Sequence, residues 1–244
     1  MTLDPLQDRH RPHGFGQRVQ DFVKQIVYGG NDGIVTTFAI VAGFAGAQAE
    51  GVAQIGGLAV LVFGLANLFA DAVSMGLGEF LSGRAQNDLY RSRRTAELRA
   101  IASDPAAEQA ALAQLMAQRG LPRDEAGQMA GIVVRHPEVM ADMMMRYEHG
   151  LQDPSDGSPA IDGLVTFCSF VLFGCVPIAP YFLMEASDRT FVLSVLATFG
   201  ALMALGLLRW RATQEGLVRS TGETVLVGAV CAGVAYLVGW LVGG

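Results

Sequence analysis

Five long apolar runs constrain this chain more than anything else in it. They are Ile26–Ala49, Val52–Phe80, Ile161–Met184, Thr190–Leu208 and Val225–Val242. A helix needs about 20 mostly apolar residues to cross the hydrocarbon of a bilayer, and backbone polar groups there must be satisfied within the segment. Five such runs in 244 residues predict an all-α membrane protein with five transmembrane helices. Composition alone does not decide this: a chain that is 51% hydrophobic with 30 glycines also describes a glycine-rich soluble protein. Residues 1–25 hold Asp4, Asp8, Asp21 and two prolines and lack the apolar stretch of a signal peptide. A polar N-terminal tail is expected there.

The basic residues set the orientation. With the N-terminus in the cytoplasm, 16 of the 17 basic residues fall on the inside and only Arg189 falls outside. The positive-inside rule therefore predicts five spans with N inside and C outside. The net charge of −6 carries no implication of nucleic-acid binding, because the basic residues sit at the membrane edge. Cys168, Cys175 and Cys231 all lie in expected spans, without the spacing of a zinc site or a disulfide framework, and read as packing residues.

Past Gly83 the composition changes abruptly. Between Arg84 and Asp153 there are nine basic and ten acidic residues. Gln86–Ala102 reads as the second apolar helix continuing as a polar one. Asp104 is the expected N-cap of the next helix, with Pro105 in its first turn. Gly120-Leu-Pro122 and His136-Pro137 mark further breaks, and Gly150 is the expected C-terminal cap. The expected organisation is thus a tail over 1–25, transmembrane helices 1–2 over 26–83 and a cytoplasmic helical bundle over 84–153. A linker over 154–160 and transmembrane helices 3–5 over 161–244 complete it. Pro177 and Pro180 fall in the third span, where proline kinks a helix. Gly239 and Gly243 in the fifth have the spacing of close helix contacts.

The polar residues inside these runs carry the functional reading. Asp32 lies in Tyr28-Gly-Gly-Asn-Asp-Gly-Ile-Val-Thr-Thr-Phe38, and an ionisable group in hydrocarbon is costly enough to mark a partner, a cavity or a passing ion. In the second run Asn67, Asp71, Met75 and Glu79 recur every four residues and share one helix face. At about 1.5 Å per residue, Asp32 and Met75 sit roughly 10 Å from the inner edge, with Asp71 about 6 Å deeper. Carboxylates with a thioether suit a borderline ion such as Fe²⁺ better than Mg²⁺ or Ca²⁺. They can also take up protons in a low-dielectric site. In the polar segment Met144 and Met145 can share a face with Glu148, while Glu97 and Glu108 flank the Pro105 turn. The residues alone leave that cluster open between core packing and ligation.

Four motifs, in this order, make the chain resemble the vacuolar iron transporter family. They are Gly30-Asn-Asp-Gly-Ile-Val-Thr-Thr-Phe38, Phe69-Ala-Asp-Ala-Val-Ser-Met-Gly-Leu-Gly-Glu-Phe-Leu-Ser82, Asp142-Met-Met-Met-Arg-Tyr-Glu148 and the Pro-x-x-Pro of the third span. The resemblance covers Asp21 to Gly244. It implies a homodimer of five-span protomers that exchanges divalent iron or manganese from the cytoplasm for protons. It also implies a cytoplasmic helical metal-binding domain between spans two and three. By the same resemblance Asp32 and Met75 belong to the translocation path. Glu97, Glu108, Met144, Met145 and Glu148 belong to the cytoplasmic metal site. Where the family often has a second-span glutamate this chain has Asn67, with Asp71 one turn on. Ala100 and Ala111 replace two further glutamates of the cytoplasmic domain.

The expectation is a transporter, not an enzyme, with no permanently bound cofactor. Its partners would be Fe²⁺ or Mn²⁺, protons, the lipid bilayer and a second copy of the chain. Arginine-rich, nearly lysine-free usage points to a bacterial inner membrane, and the family to a vacuolar membrane in a eukaryote. The alternative is a membrane-anchored iron sensor, store or oxidase. Di-iron oxidases use Glu-x-x-His pairs, and none occurs here.

Overall fold

The computed structural model describes residues 22–47, 52–154, 157–213 and 216–243. The expected tail up to residue 21, the last two residues of the first run with the two after it (48–51), two residues of the expected linker, and residues 214–215 and 244 of the last segment lie outside them. Among the described residues the chain forms eight helices and no strand. They are α1 (Val23–Gly46), α2 (Val52–Ser103), α3 (Pro105–Gln118), α4 (Arg123–Val133), α5 (Pro137–Tyr147), α6 (Pro159–Leu183), α7 (Asp188–Thr213) and α8 (Leu217–Gly243).

Four of these helices are long and apolar enough to cross a membrane: α2 from Gly57, α6, α7 and α8. The helix left out is α1, where five runs led us to expect five spans. Its 24 residues extend about 36 Å at about 1.5 Å each, so length is not the difference. The polar stretch Lys24–Gln25 and the run Gly29-Gly-Asn-Asp-Gly33 lower its apolarity. α2 is a single helix of 52 residues in which an apolar first part passes into a polar second part without a break. It stops at Ser103, where the Asp104 side chain accepts a hydrogen bond from the Ala107 N–H at 3.0 Å and Pro105 opens α3.

The chain divides into two compact units, one of Met1–Glu79 with Ala160–Gly244 and the other of Phe80–Pro159. In the first, α1 packs against α7 and α8 and its glycines bring it against α6 as well. A Cβ on Gly29 would lie 2.6 Å from the Thr166 carbonyl oxygen, and one on Gly33 would collide with the backbone of Phe170. At the other end of α1, Gly43 meets Gly239 of α8 backbone to backbone. Phe38, Val41 and Ala42 are buried with Leu68, Ala72, Phe170 and Ile178, and Ile34 with Ala201, Leu202 and Leu205. Large apolar side chains cover the outside of α7 and α8: Leu196 is 61% exposed and Val234 60%. Such a surface is stable against lipid and is an aggregation site in water. Two buried hydroxyls are tied to backbone: Ser194 donates to the Pro177 carbonyl and Ser220 to that of Gly206.

In the second unit the end of α2 and helices α3–α5 enclose Ile101, Leu112, Met116, Ala126, Ala130, Met140, Ala141 and Met144. Gly150 adopts φ 66°, the left-handed region that favours glycine, just after α5.

Close approach of α1 to α6 makes a paired prediction. Gly29→Ala should destabilise the protein by roughly 1–3 kcal/mol, the usual cost of overpacking, in thermal unfolding of detergent-solubilised protein. Gly78→Ala, whose Cβ would meet nothing within 4 Å, should leave stability unchanged or raise it by up to about 1 kcal/mol through helix propensity. Equal effects would show that α1 and α6 do not touch at Gly29.

Candidate functional site

Two groups of polar side chains stand out, one in each unit. In the first, Asp32 is half-buried on α1, close enough to Asp71 of α2 for their charges to interact. Asn67 Nδ2 donates to Asp71 Oδ2 at 2.7 Å, so the residue one turn away orients that carboxylate. Residues Asn67, Asp71, Met75 and Glu79 are all partly exposed, alongside the buried line Gly64, Leu68, Ala72 and Gly76. Met75 packs against the apolar cluster around Leu68 and Phe170. Glu79 accepts from Lys24 Nζ at 3.3 Å.

Sequence reasoning passed over three further oxygens on α1. Gln25 Oε1, Asn31 Oδ1 and Thr37 Oγ1 are buried without a hydrogen-bond partner among the described residues. Buried polar atoms are normally paired, so these are oxygens available to a guest. Their one sequence signal was polarity inside an apolar helix.

In the second unit Glu97 of α2, Glu108 in the first turn of α3 and Glu148 at the end of α5 converge. His149, absent from the sequence-based set, joins them: its Nε2 lies 3.4 Å from Glu97 Oε2. One donor atom each from Glu97, Glu148 and His149 all lie within 4.8 Å of one another. Glu97 is only 8% exposed, and its Oε1 has no hydrogen-bond partner among the described residues. Burial first, then the charges of Glu97 and Glu148, hold the Glu108 carboxyl above its ordinary value. Glu148 sits at the C-terminal end of α5, where the helix dipole disfavours negative charge. Carboxylates gathered so against their own repulsion suit a cation.

Arg94 of α2 places α5 relative to this cluster. Its Nε donates to Asp142 Oδ1 at 2.8 Å and its Nη2 to Glu138 Oε2 at 2.6 Å. Met144 is part of the apolar cluster of the unit, and Met145 is fully buried. Neither is grouped by exposure with Glu148, which lies at the surface.

A family model described as the VIT family matches residues 23–240. The chain belongs to the VIT family. Among its relatives is the vacuolar iron transporter 1 of Oryza sativa subsp. japonica, 33% identical over 217 residues, which are 88% of this chain and 83% of the relative. Vacuolar iron transporter 1 of Arabidopsis thaliana is 32% identical over 232 residues, 95% of this chain and 89% of the relative. The vacuolar iron transporter of Toxoplasma gondii is 33% identical over 230 residues, 91% of this chain and 74% of its own length. VIT family membership and four membrane-length apolar helices make this a membrane protein. Its relatives are named as transporters, not as enzymes.

Two predictions follow from the second cluster. Arg94→Ala removes both ties to α5, worth about 1 kcal/mol together for partly exposed pairs. Hydrogen exchange in α5 should quicken and divalent metal binding weaken; unchanged exchange would show that Arg94 does not position the helix. Glu108 favours its protonated form in the folded unit, so it opposes folding above its raised pKa and ceases to do so as the pH falls through it. Glu108→Gln should therefore raise the unfolding midpoint of the metal-free protein at neutral pH and flatten the gain on acidification. A lowered midpoint would contradict the repulsion.

Proposed function

We propose that this chain moves Fe²⁺, and Mn²⁺ by the same route, out of the cytoplasm in exchange for protons. The observation that carries the reading is Asp32: a carboxylate on a helix packed among three membrane-length neighbours, facing a second carboxylate at Asp71. The names of the relatives, vacuolar iron transporters, point the same way.

On this reading α1 is the fifth span. Its polar run is tolerated because it is enclosed by α6, α7 and α8 and by the ion path, which is where irregular polarity is acceptable at membrane depth. The N-terminus and the unit of residues 80–159 face the cytoplasm, in keeping with the basic residues. Asp32, Asp71 and Met75 line the path, with Asn67 holding Asp71. Glu97, Glu108 and Glu148 gather cytoplasmic ions; Met144 and Met145 enter that site only through the family resemblance. Two copies of the chain form the transporter: the half-exposed stripe Asn67–Asp71–Met75–Glu79 lies beside exposed Phe63, Phe69, Val73 and Leu77, a face that a second copy would close. The membrane is the inner membrane of a bacterium or the vacuolar membrane of a eukaryote.

Exchange chemistry follows from the ligand type. A carboxylate in a low-dielectric layer is stabilised either by a metal ion or by a proton. Arrival of one releases the other, and a site that alternates between them couples two gradients.

Purified protein in liposomes should take up Fe²⁺ at a rate set by the imposed pH gradient, and Asp32→Ala should abolish that flux while the protein remains folded. Undiminished flux in the variant would remove Asp32 from the path. Fe²⁺ binding without flux in the unaltered protein would make it a sensor or store instead.

A further inference from the structure

We propose that His149 Nε2 is itself a metal ligand, completing with Glu97 and Glu148 a mixed nitrogen–oxygen site that prefers borderline transition ions over Mn²⁺. The inference rests on the reading that the unit of residues 80–159 takes up divalent ions, and adds the ligand that sets which ions.

Local geometry brings His149 to the site. Residues i and i+1 of a regular helix point to different faces, so Glu148 and His149 could not both reach one ion from within α5. They lie beyond its last full turn. The N–H groups of Glu148 and His149 both donate to the Met144 carbonyl, at 2.8 and 3.2 Å. Gly150 turns into the left-handed region, and Leu151 N–H closes the end on the Met145 carbonyl at 2.9 Å. This wound-up end presents two consecutive side chains to Glu97.

The alternative role for His149 is that of a plain ionic partner for Glu97. That role leaves the cluster unbalanced. One imidazolium faces three carboxylates, Glu97, Glu108 and Glu148, and Glu97 Oε1 stays buried without a partner. A dication bound by neutral imidazole compensates more of that charge and gives the orphaned region of Glu97 a partner. The spacing fits as well. Ligand bonds of about 2.1 Å put neighbouring donors about 3 to 4 Å apart, so donors within 4.8 Å of one another need close only by about 1 Å. Glu97 supplies the second, independent sign of a ligand: a nine-tenths buried carboxylate with an unpaired oxygen in the cluster.

Selectivity follows from the nitrogen. Imidazole favours Fe, Co, Ni, Cu and Zn, whereas carboxylate suits Mn²⁺, Mg²⁺ and Ca²⁺. A ring in place of a fourth oxygen therefore widens the gap between Co²⁺ and Mn²⁺.

The test is equilibrium binding of Co²⁺ and of Mn²⁺ to the full-length protein in detergent. It is done on an Asp32→Asn background, so that ions between the membrane helices do not contribute. His149→Gln should weaken Co²⁺ by at least about tenfold, the cost of removing even an outer-shell partner, and Mn²⁺ by much less. His149→Glu should recover Mn²⁺ binding without the Co²⁺ preference, and His136→Gln should change neither. A proportional loss of both ions in His149→Gln would make His149 a positioning partner of Glu97 and overturn the proposal, as would no loss at all. Glu97→Gln separates the two readings. Lost binding there with an unaffected His149→Gln overturns only the ligand role, whereas unaffected binding in both also removes this unit from ion uptake.

Discussion

The structure depends on one electrostatic constraint: Asp32 sits in a helix enclosed by apolar neighbours. On the proposed reading of α1 as a fifth span, a charge there costs several kcal/mol even on the lenient insertion scales. No described cation is paired with Asp32. What it has nearby is a second acid, Asp71, itself steered by Asn67. Two interacting acids repel each other when both are charged, so such a pair favours binding a metal ion or a proton.

Glycine makes that arrangement possible. The α1 backbone comes against α6 through Gly29 and Gly33 and against α8 through Gly43 and Gly239. In lipid there is no hydrophobic force between helices, so close backbone approach supplies the van der Waals contact that holds them. The same small residues that weaken α1 as an isolated helix let it be enclosed by its neighbours. Enclosure in turn lets α1 carry Asn31 and Asp32 on a helix packed against its neighbours. Low apolarity and central position are two sides of one design.

Much of this was legible in the sequence because it rests on local rules. The α2–α3 break at Asp104-Pro105, the cap at Gly150 and the four-residue stripe on α2 need only helix geometry and capping chemistry. Asp32 was legible because a lone carboxylate among apolar residues is conspicuous. His149 was not. It follows Glu148 directly, and helical spacing assigns neighbours to different faces. Only the way the chain winds up after Tyr147 puts both on one site. Arg94 was equally hidden, since its partners Glu138 and Asp142 lie more than forty positions away. The methionines were legible as a pair beside Glu148, and their burial serves core packing or a thioether ligand equally, since sulfur suits either purpose.

The middle cluster obeys the same logic as Asp32, in a different medium. Glu97 is buried against protein, Glu108 is held towards its protonated form, and Glu148 opposes a helix dipole. Each of these terms makes the metal-free unit less stable than its apolar core alone would allow. A ligand that binds only the folded form stabilises it by mass action, and here it also relieves repulsion already present. If the unit takes up divalent ions as proposed, its stability is coupled to free metal, with coupling strongest where the carboxylates are most crowded. Alanine stands at positions 100 and 111, where the family resemblance implies acids, and on that reading the crowding is moderated. On the proposed ligation, a smaller charge is left to neutralise and the His149 imidazole has a larger share in deciding which ion does it.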